Sequence, residues 1–185
     1  MQKQRWRRLI RARWALGASL LVSAVLFNGC PYYDWDDYEY PAIVPKLMAK
    51  EDLATSIKSG EPRDLVKPGK IYTKDDLLFI NEKYEGVHVI NNADPATPVK
   101  LAFIEVPGCI DIAMKGNTLY VDNAIDLVAL DVTDPQAVVF TERIAAIFPE
   151  LSNQEAYWES MNFDRSKFVI VGWKDTVVKG GGHVE

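Results

Sequence analysis

Ile71 to Pro95 reads IYTKDDLLFINEKYEGVHVINNADP, and Ile112 to Pro135 reads IAMKGNTLYVDNAIDLVALDVTDP. Set one above the other, the two stretches match: Lys74 with Lys115, Phe79 with Tyr120, and Asp94-Pro95 with Asp134-Pro135. The offset is 41 residues at the start and 40 at the end, so one residue is missing from the second copy between Glu82 and Leu127. A period of about 40 residues is the length of a four-stranded antiparallel meander of the kind that forms a propeller blade.

Each copy carries the same local signals in the same order. Asp75-Asp76 and Gly116-Asn117 are turn pairs, the second suited to a primed hairpin turn. Leu78-Phe79-Ile80 and Leu119-Tyr120-Val121 follow as strand centres, and Val87 to Ile90 and Leu127 to Leu130 as the next strands. Asp-Pro then stops pairing, because proline brings no donor to a ladder and aspartate caps turns. Val99 to Val106 and Ala137 to Ile147 supply a further strand each, ending near Pro107 and Pro149. The fold class is therefore mainly β: two antiparallel meanders over 69–108 and 109–149, with short helices elsewhere.

These residues resemble the LVIVD-repeat proteins, whose units carry a Leu-Val-Ile-Val-Asp strand, an Asp-Pro-x-x-Pro turn and a Pro-Gly before the next unit. Here the elements are Val87 to Asn92, Asp94-Pro95-Ala96-Thr97-Pro98 and Pro107-Gly108; the second unit offers Leu127-Val128-Ala129-Leu130-Asp131 and Asp134-Pro135 without the later proline or Pro-Gly. The resemblance implies a propeller-like β fold on a lipid anchor and brings no established activity. A closed propeller needs about four to eight blades, so two repeats leave strand edges open to self-association, to pairing with the C-terminal segment, or to further blades.

Outward from the repeats, the N-terminus has the grammar of an export signal. All six ionisable residues before position 30 are basic (Lys3, Arg5, Arg7, Arg8, Arg11, Arg13), and Trp14 to Phe27 is an apolar run of 14 residues. As a helix that run spans roughly 21 Å, short against a hydrocarbon core of about 30 Å, so it predicts a helical signal segment over 1–29 rather than a permanent span. Leu26-Phe27-Asn28-Gly29-Cys30 resembles a bacterial lipobox, which implies cleavage after Gly29 and lipidation of Cys30. Tyr32 to Tyr40, YYDWDDYEY, holds five aromatics and four acids with no aliphatic residue, and Pro41 and Pro45 follow. Over 30–46 this predicts an extended, self-repelling tether. Acid-rich stretches after a lipidated cysteine resemble outer-membrane surface sorting signals; which side of that membrane the chain faces stays open.

The remaining segments are shorter. Residues 48–57 suit a helix of two to three turns, and 62–70 a connector with two prolines and a glycine. Ser152 and Glu155 resemble a capping box ahead of a helix over 154–161. Lys167 to Trp173 is a strong strand signal within a C-terminal region spanning 150–179, and Gly180-Gly181-Gly182 within 180–185 reads as a linker, as though more repeats follow.

Function classes narrow by charge and by missing motifs. The chain carries 21 basic and 26 acidic residues, net −5, and beyond position 29 the balance is 15 against 26, which excludes the basic face a nucleic-acid binder needs. No HExxH, GxSxG, P-loop or paired CxxC is present. Asp111, Asp122, Asp126, Asp131 and Asp134 could offer oxygen ligands to calcium, but they lack a calcium-loop pattern and read better as turn caps; no cofactor or metal is expected. His88 should face away from Val87 and Val89 and be a satisfied side chain rather than a ligand, and Cys109 a buried structural thiol. The leading expectation is a lipid-anchored, non-catalytic envelope protein whose β repeats bind an envelope protein or a glycan through exposed turns, with Glu82, Lys83, Tyr84, Glu85 and Asp126 as contacts. The alternatives are a propeller-type enzyme acting on polysaccharide through Asp122 and Asp126, which would have to converge within about 5 to 9.5 Å, and a fragment of a longer repeat protein.

Overall fold

The computed structural model describes residues 39–179 and 183–184. The signal segment, Gly29, Cys30 and the first part of the tether lie outside the described residues, as do positions 180–182 and 185. The described chain is mainly β, arranged as three antiparallel sheets.

The repeats form two of them. Strands β3 (Pro68–Lys74), β4 (Leu77–Glu82), β5 (Gly86–Asn91) and β6 (Val99–Glu105) run as a meander, with the short β2 (Lys58–Gly60) added outside β6. Strands β7 (Ile112–Lys115), β8 (Thr118–Asn123), β9 (Asp126–Asp131) and β10 (Val139–Ile144) repeat the meander. The equivalence reaches individual bonds. Asn92 N–H donates to Asp76 O and Val132 N–H to Asn117 O; the carboxylates of Asp94 and Asp134 cap Ala96 and Gln136; Asn91 and Asp131 cap Ala93 and Thr133. The missing residue is in the β4–β5 turn: residues 83–85 close the first hairpin, residues 124–125 the second. No closed barrel or propeller forms among the described residues.

The core is made by two unlike faces. Phe79, Val87, Val89, Ala102 and Ile104 lie on one face of the first sheet and form a single buried cluster with Leu119, Val121, Val128 and Leu130 of the second. At the 41-residue offset Leu119 and Val121 correspond to Leu78 and Ile80, whose side chains leave the opposite face of β4. The sheets therefore stack in the same sense, front of one on back of the next, as translated copies do. His88 points away from this cluster, as the alternation requires.

Between the sheets the backbone comes very close. Gly108, at φ +80, would bring an added Cβ to 2.7 Å from the Ala124 nitrogen; within the first sheet, Gly86, at φ +148, would bring one to 2.0 Å from the Ile104 oxygen. Cys109 closes the junction as a fully buried, free thiol: its backbone oxygen accepts from Tyr84 N–H at 2.6 Å and its Sγ from Asn81 Nδ2 at 3.1 Å. Burial pushes that thiol well above its ordinary pKa, with Asp122 adding to the effect.

The third sheet corrects the expected tether. Residues 39–46 belong to β1 (Glu39–Ala49), paired along its length with β11 (Phe168–Lys179), to which β12 (His183–Val184) adds a short third strand. Pro41 and Pro45 fit because β1 is an edge strand and the two prolines, four residues apart, both turn their missing donors to the unpaired side. The partner, more than 120 residues later in the chain, leaves no trace in the local pattern of 30–46. The helix expected over 48–57 shrinks to α1 (Lys50–Leu53), because Leu47, Met48 and Ala49 stay in the ribbon opposite Ile170, Val169 and Phe168. The helix expected over 154–161 is one 3-10 turn, Trp158–Met161; Asn153 rather than Ser152 caps Glu155 N–H, and Ala156 bridges to Ile43.

The inter-sheet contact predicts a contrast between two glycines. Gly108→Ala should cost about 2–4 kcal/mol, from the positive φ and the collision with Ala124. Gly116→Ala, at φ +58 with nothing within 4 Å, should cost only about 1–2 kcal/mol. Urea midpoints read at unchanged slope check the difference.

Candidate functional site

The expected contact turns come to one end of the two sheets, where the ribbon packs on Tyr84, Ala124 and Ile125 and leaves Lys83 and Glu85 exposed. Gly172 of β11 packs on Tyr84, where an added Cβ would stand 3.2 Å from the Tyr84 Cβ; Val169 and Val171 pack with Leu53, Ala124 and Ile125. Tyr84 O accepts from Gly108 N–H at 2.9 Å, and Glu85 pairs with Lys46 at 2.9 Å. Lys83 is exposed, with its Nζ 5.0 Å from the centre of the Tyr84 ring. Glu82 and Asp126, expected on the surface, are instead turned inward, 6% and 7% exposed.

Glu82 organises the outer side of the first sheet. Its carboxylate accepts from Val66 N–H at 3.0 Å and from Lys67 N–H, and lies 3.0 Å from His88 Nε2. These bonds strap residues 63–67 over the face carrying Ile80, His88 and Phe103, where Arg63 stacks on the Phe103 ring at 4.1 Å. Burial by itself would raise the Glu82 carboxyl; the bonds from Val66, His88 and Lys67 outweigh it and hold it below its ordinary value. A cavity of about 350 Å³ remains under the strap, between Arg63, Lys67, Glu82, His88, Phe103 and Trp173.

Asp126 has an equally structural task. It takes Arg143 Nη1 at 2.7 Å and Ala146 N–H at 2.8 Å, while Arg143 also reaches Asn123 Oδ1 and Leu53 O. Asp122 leaves the other face of the sheet, because Asn123, not Asp122, is the cross-strand partner of Asp126. There it accepts from Ile110 and Asp111 N–H at 2.9 and 2.8 Å; burial raises its carboxyl, against those bonds. The acid-and-base pair considered for polysaccharide cleavage therefore does not converge. Asp131 and Asp134 cap turns and Asp111 pairs with Lys70 at 2.6 Å, so no group of three or more metal-ligating side chains gathers among the described residues.

What the sequence reading missed is a groove. On the outer side of the second sheet Ala113, Tyr120 and Leu127, with Phe148 and Leu151 from the segment after β10, line a cleft of about 550 Å³ together with the charged Lys70, Asp111, Asp122 and Glu150. Its wall is the counterpart of the buried face of the first sheet: Tyr120, Leu127 and Ala129 stand where Phe79, Val87 and Val89 stand, and the latter three are all 0% exposed. Ile144, opposite Leu127, is 48% exposed. The repeat alignment already paired Phe79 with Tyr120; the stacking sense of the sheets, which decides that one is covered and the other open, was the missing information.

Two substitutions test these assignments. Glu82→Gln should cost about 1–3 kcal/mol by weakening the strap. Because the folded carboxyl sits low, its stabilisation is present above the unfolded pKa of about 4.3 and is lost as pH falls through the folded value; the variant should show a shallower acid limb in stability against pH. Arg143→Met, which strands Asp126 and Asn123, should cost about 3 kcal/mol in urea denaturation. Compared with family models, curated proteins and solved structures, the chain matches none.

Proposed function

We propose that the chain is a lipid-anchored, non-catalytic protein of the bacterial envelope, held in the outer membrane through Cys30 and binding another macromolecule with its β repeats. In this reading the two meanders are propeller-blade-like units of the LVIVD-repeat kind. The observation that carries the binding role is the apolar groove on the outer side of the second repeat, bounded by Tyr120, Leu127 and Phe148. A largely apolar concavity that also carries Lys70, Asp111, Asp122 and Glu150 in its lining is a binding feature.

The groove replaces the covered turns as the contact region. Glu82, Tyr84 and Asp126 serve the interior; of the expected contact residues, Lys83 and Glu85 alone keep substantial exposure. The anchor rests on the basic start, the 14-residue apolar run and Gly29-Cys30. A single acyl chain binds a membrane only marginally, so the two or three chains of a lipoprotein are what this anchor requires.

Two measurements test the proposal in cells. Cys30→Ser should move the protein out of the detergent phase in a phase-separation assay; equal partition of both forms would sink the anchor. A photo-crosslinking amino acid at Tyr120 should give a discrete adduct on irradiation, and the same group at Lys74, on the first repeat, should not. Absence of any adduct from Tyr120, Ala113 and Leu127 would remove the binding role.

A further inference from the structure

Resting on that reading, we propose that the partner is a protein that lays an extended segment along the open edge of β10, antiparallel to it, as a fifth strand of the second sheet. The two sheets differ by one strand. In the first, β2 pairs outside β6, with Lys58, Ser59 and Gly60 opposite Glu105, Ile104 and Phe103. In the second, β10 is the last strand, and no described residue pairs with its outer side. The two edges otherwise correspond residue by residue. At an offset of 40 residues, Val87 opposite Ile104 becomes Leu127 opposite Ile144, and the bulge that leaves Leu101 without a cross-strand partner in β6 leaves Thr141 without one in β10. The first sheet takes its extra strand beyond that bulge, so the bulge does not close the corresponding stretch of β10.

The other open edges of the described chain carry the residues that discourage strand addition, a proline with no donor or a lysine that pairing would desolvate. On β1 these are Pro41 and Pro45, and Tyr157 N–H already donates to Ile43 O at 2.8 Å. Pro68, Lys70 and Lys74 stand on β3, Lys58 on β2, Lys115 on β7 and Lys174 on β11, while β12 is two residues long. β10, reading Val139-Phe140-Thr141-Glu142-Arg143-Ile144, has neither proline nor lysine. All of its residues are exposed except Arg143, which turns inward to Asp126 and Asn123. The side chains along this edge define what the incoming strand carries. Glu142 and Ile144 lie on the groove side, opposite Ala129 and Leu127. An antiparallel strand complements them with an apolar residue opposite Ile144 and a basic residue opposite Glu142, as Lys58 stands opposite Glu105 in the first sheet. Such a strand widens the wall of the groove, with main-chain bonds supplying the affinity and the side chains the selection.

The test is an NMR titration of the isotope-labelled full chain in detergent with the capped peptide Thr-Thr-Val-Thr-Lys-Thr-Thr, whose valine and lysine fit Ile144 and Glu142 together. Saturable shifts are expected at the amides of Glu142, Arg143 and Ile144. Replacing the peptide lysine by glutamate should weaken binding about twofold to fivefold, and Glu142→Lys should invert that preference. The peptide exchange reads the contact on the unaltered chain, so the result stands should Glu142→Lys perturb folding. No shift at millimolar peptide, shifts at Phe103 to Glu105 in place of β10, or equal affinity for the two peptides would each overturn the proposal. The Tyr120 crosslink separates this failure from that of the binding role: an adduct containing a polypeptide supports both, an adduct containing only sugar keeps the binding role and overturns the added strand, and no adduct removes both.

Discussion

Everything in the described chain depends on how the first repeat rests on the second. The contact joins the front of one sheet to the back of the next, and it is made at van der Waals distance along a backbone seam: Gly108 over Ala124, with Tyr84 N–H and Cys109 O clamped at 2.6 Å. The seam leaves no room for a Cβ at Gly108, and in return it lets Phe79, Val87 and Ile104 reach Leu119, Val121 and Val128 with no solvent between. Each such side chain contributes about 1.5–3 kcal/mol on burial, so this layer is the largest favourable element of the fold. Translational stacking has a geometrical consequence. Whatever covers one face of a repeat must be a different surface from that repeat's own, and a pair of repeats always has two unlike outer faces.

The corresponding face of each repeat is tied down at one position, although it is the outer face of the first repeat and the inner face of the second. On the first repeat, Glu82 draws down the incoming segment by accepting from Val66 and Lys67. On the second, the residue at the same position is Asn123, which donates to Pro107 O at 2.7 Å and so ties down the corresponding segment, the linker from the first repeat. One structural position thus does one task with two chemistries. The carboxylate accepts from backbone N–H groups, the amide donates to a backbone oxygen, and the neighbour follows suit: His88 accompanies Glu82, while Arg143 joins Asn123 to Asp126.

How much of this was legible in the sequence follows the range of the interaction. The meanders, their turns and the Asp-Pro caps rest on contacts a few residues apart, and the 41-to-40 slip resolved into one residue of one hairpin. The outward turn of His88 came from strand alternation alone. The ribbon was not legible, since residues 39–46 look like part of a tether until Phe168 to Lys179 lies beside them, and the same pairing took Met48 and Ala49 from the expected helix at 48–57. The site was misread for a related reason. Residues 82–85 and Asp126 have the composition of exposed turns; Lys83 and Glu85 are exposed, but Glu82 is buried under the segment carrying Val66 and Lys67, and Asp126 against Arg143 and Ala146, from parts of the chain 15 to 20 residues away. The groove was written into the alignment, in Tyr120, Leu127 and Ala129 opposite Phe79, Val87 and Val89, but as half of a statement whose other half is the stacking order.

The two outer faces are treated unequally. A face that had only to meet water could be polar at little cost, as β3 and β10 show by placing Lys74 and Thr141 at half-exposed and exposed positions. The wall of the groove is mixed: Ala113, Tyr120, Leu127 and Ile144 are apolar, Glu142 stands at the position of the buried Ala102, and Lys70, Asp111, Asp122 and Glu150 line the same cleft. The first repeat's outer face, which carries Ile80, Ile90 and Phe103, is sealed within the chain by a strap with its own ion pairs, Arg63 to Glu105 and Asp64 to Lys100. The chain builds a fitted cover for one of these faces and over the other lays only the Phe148–Leu151 segment along a cleft.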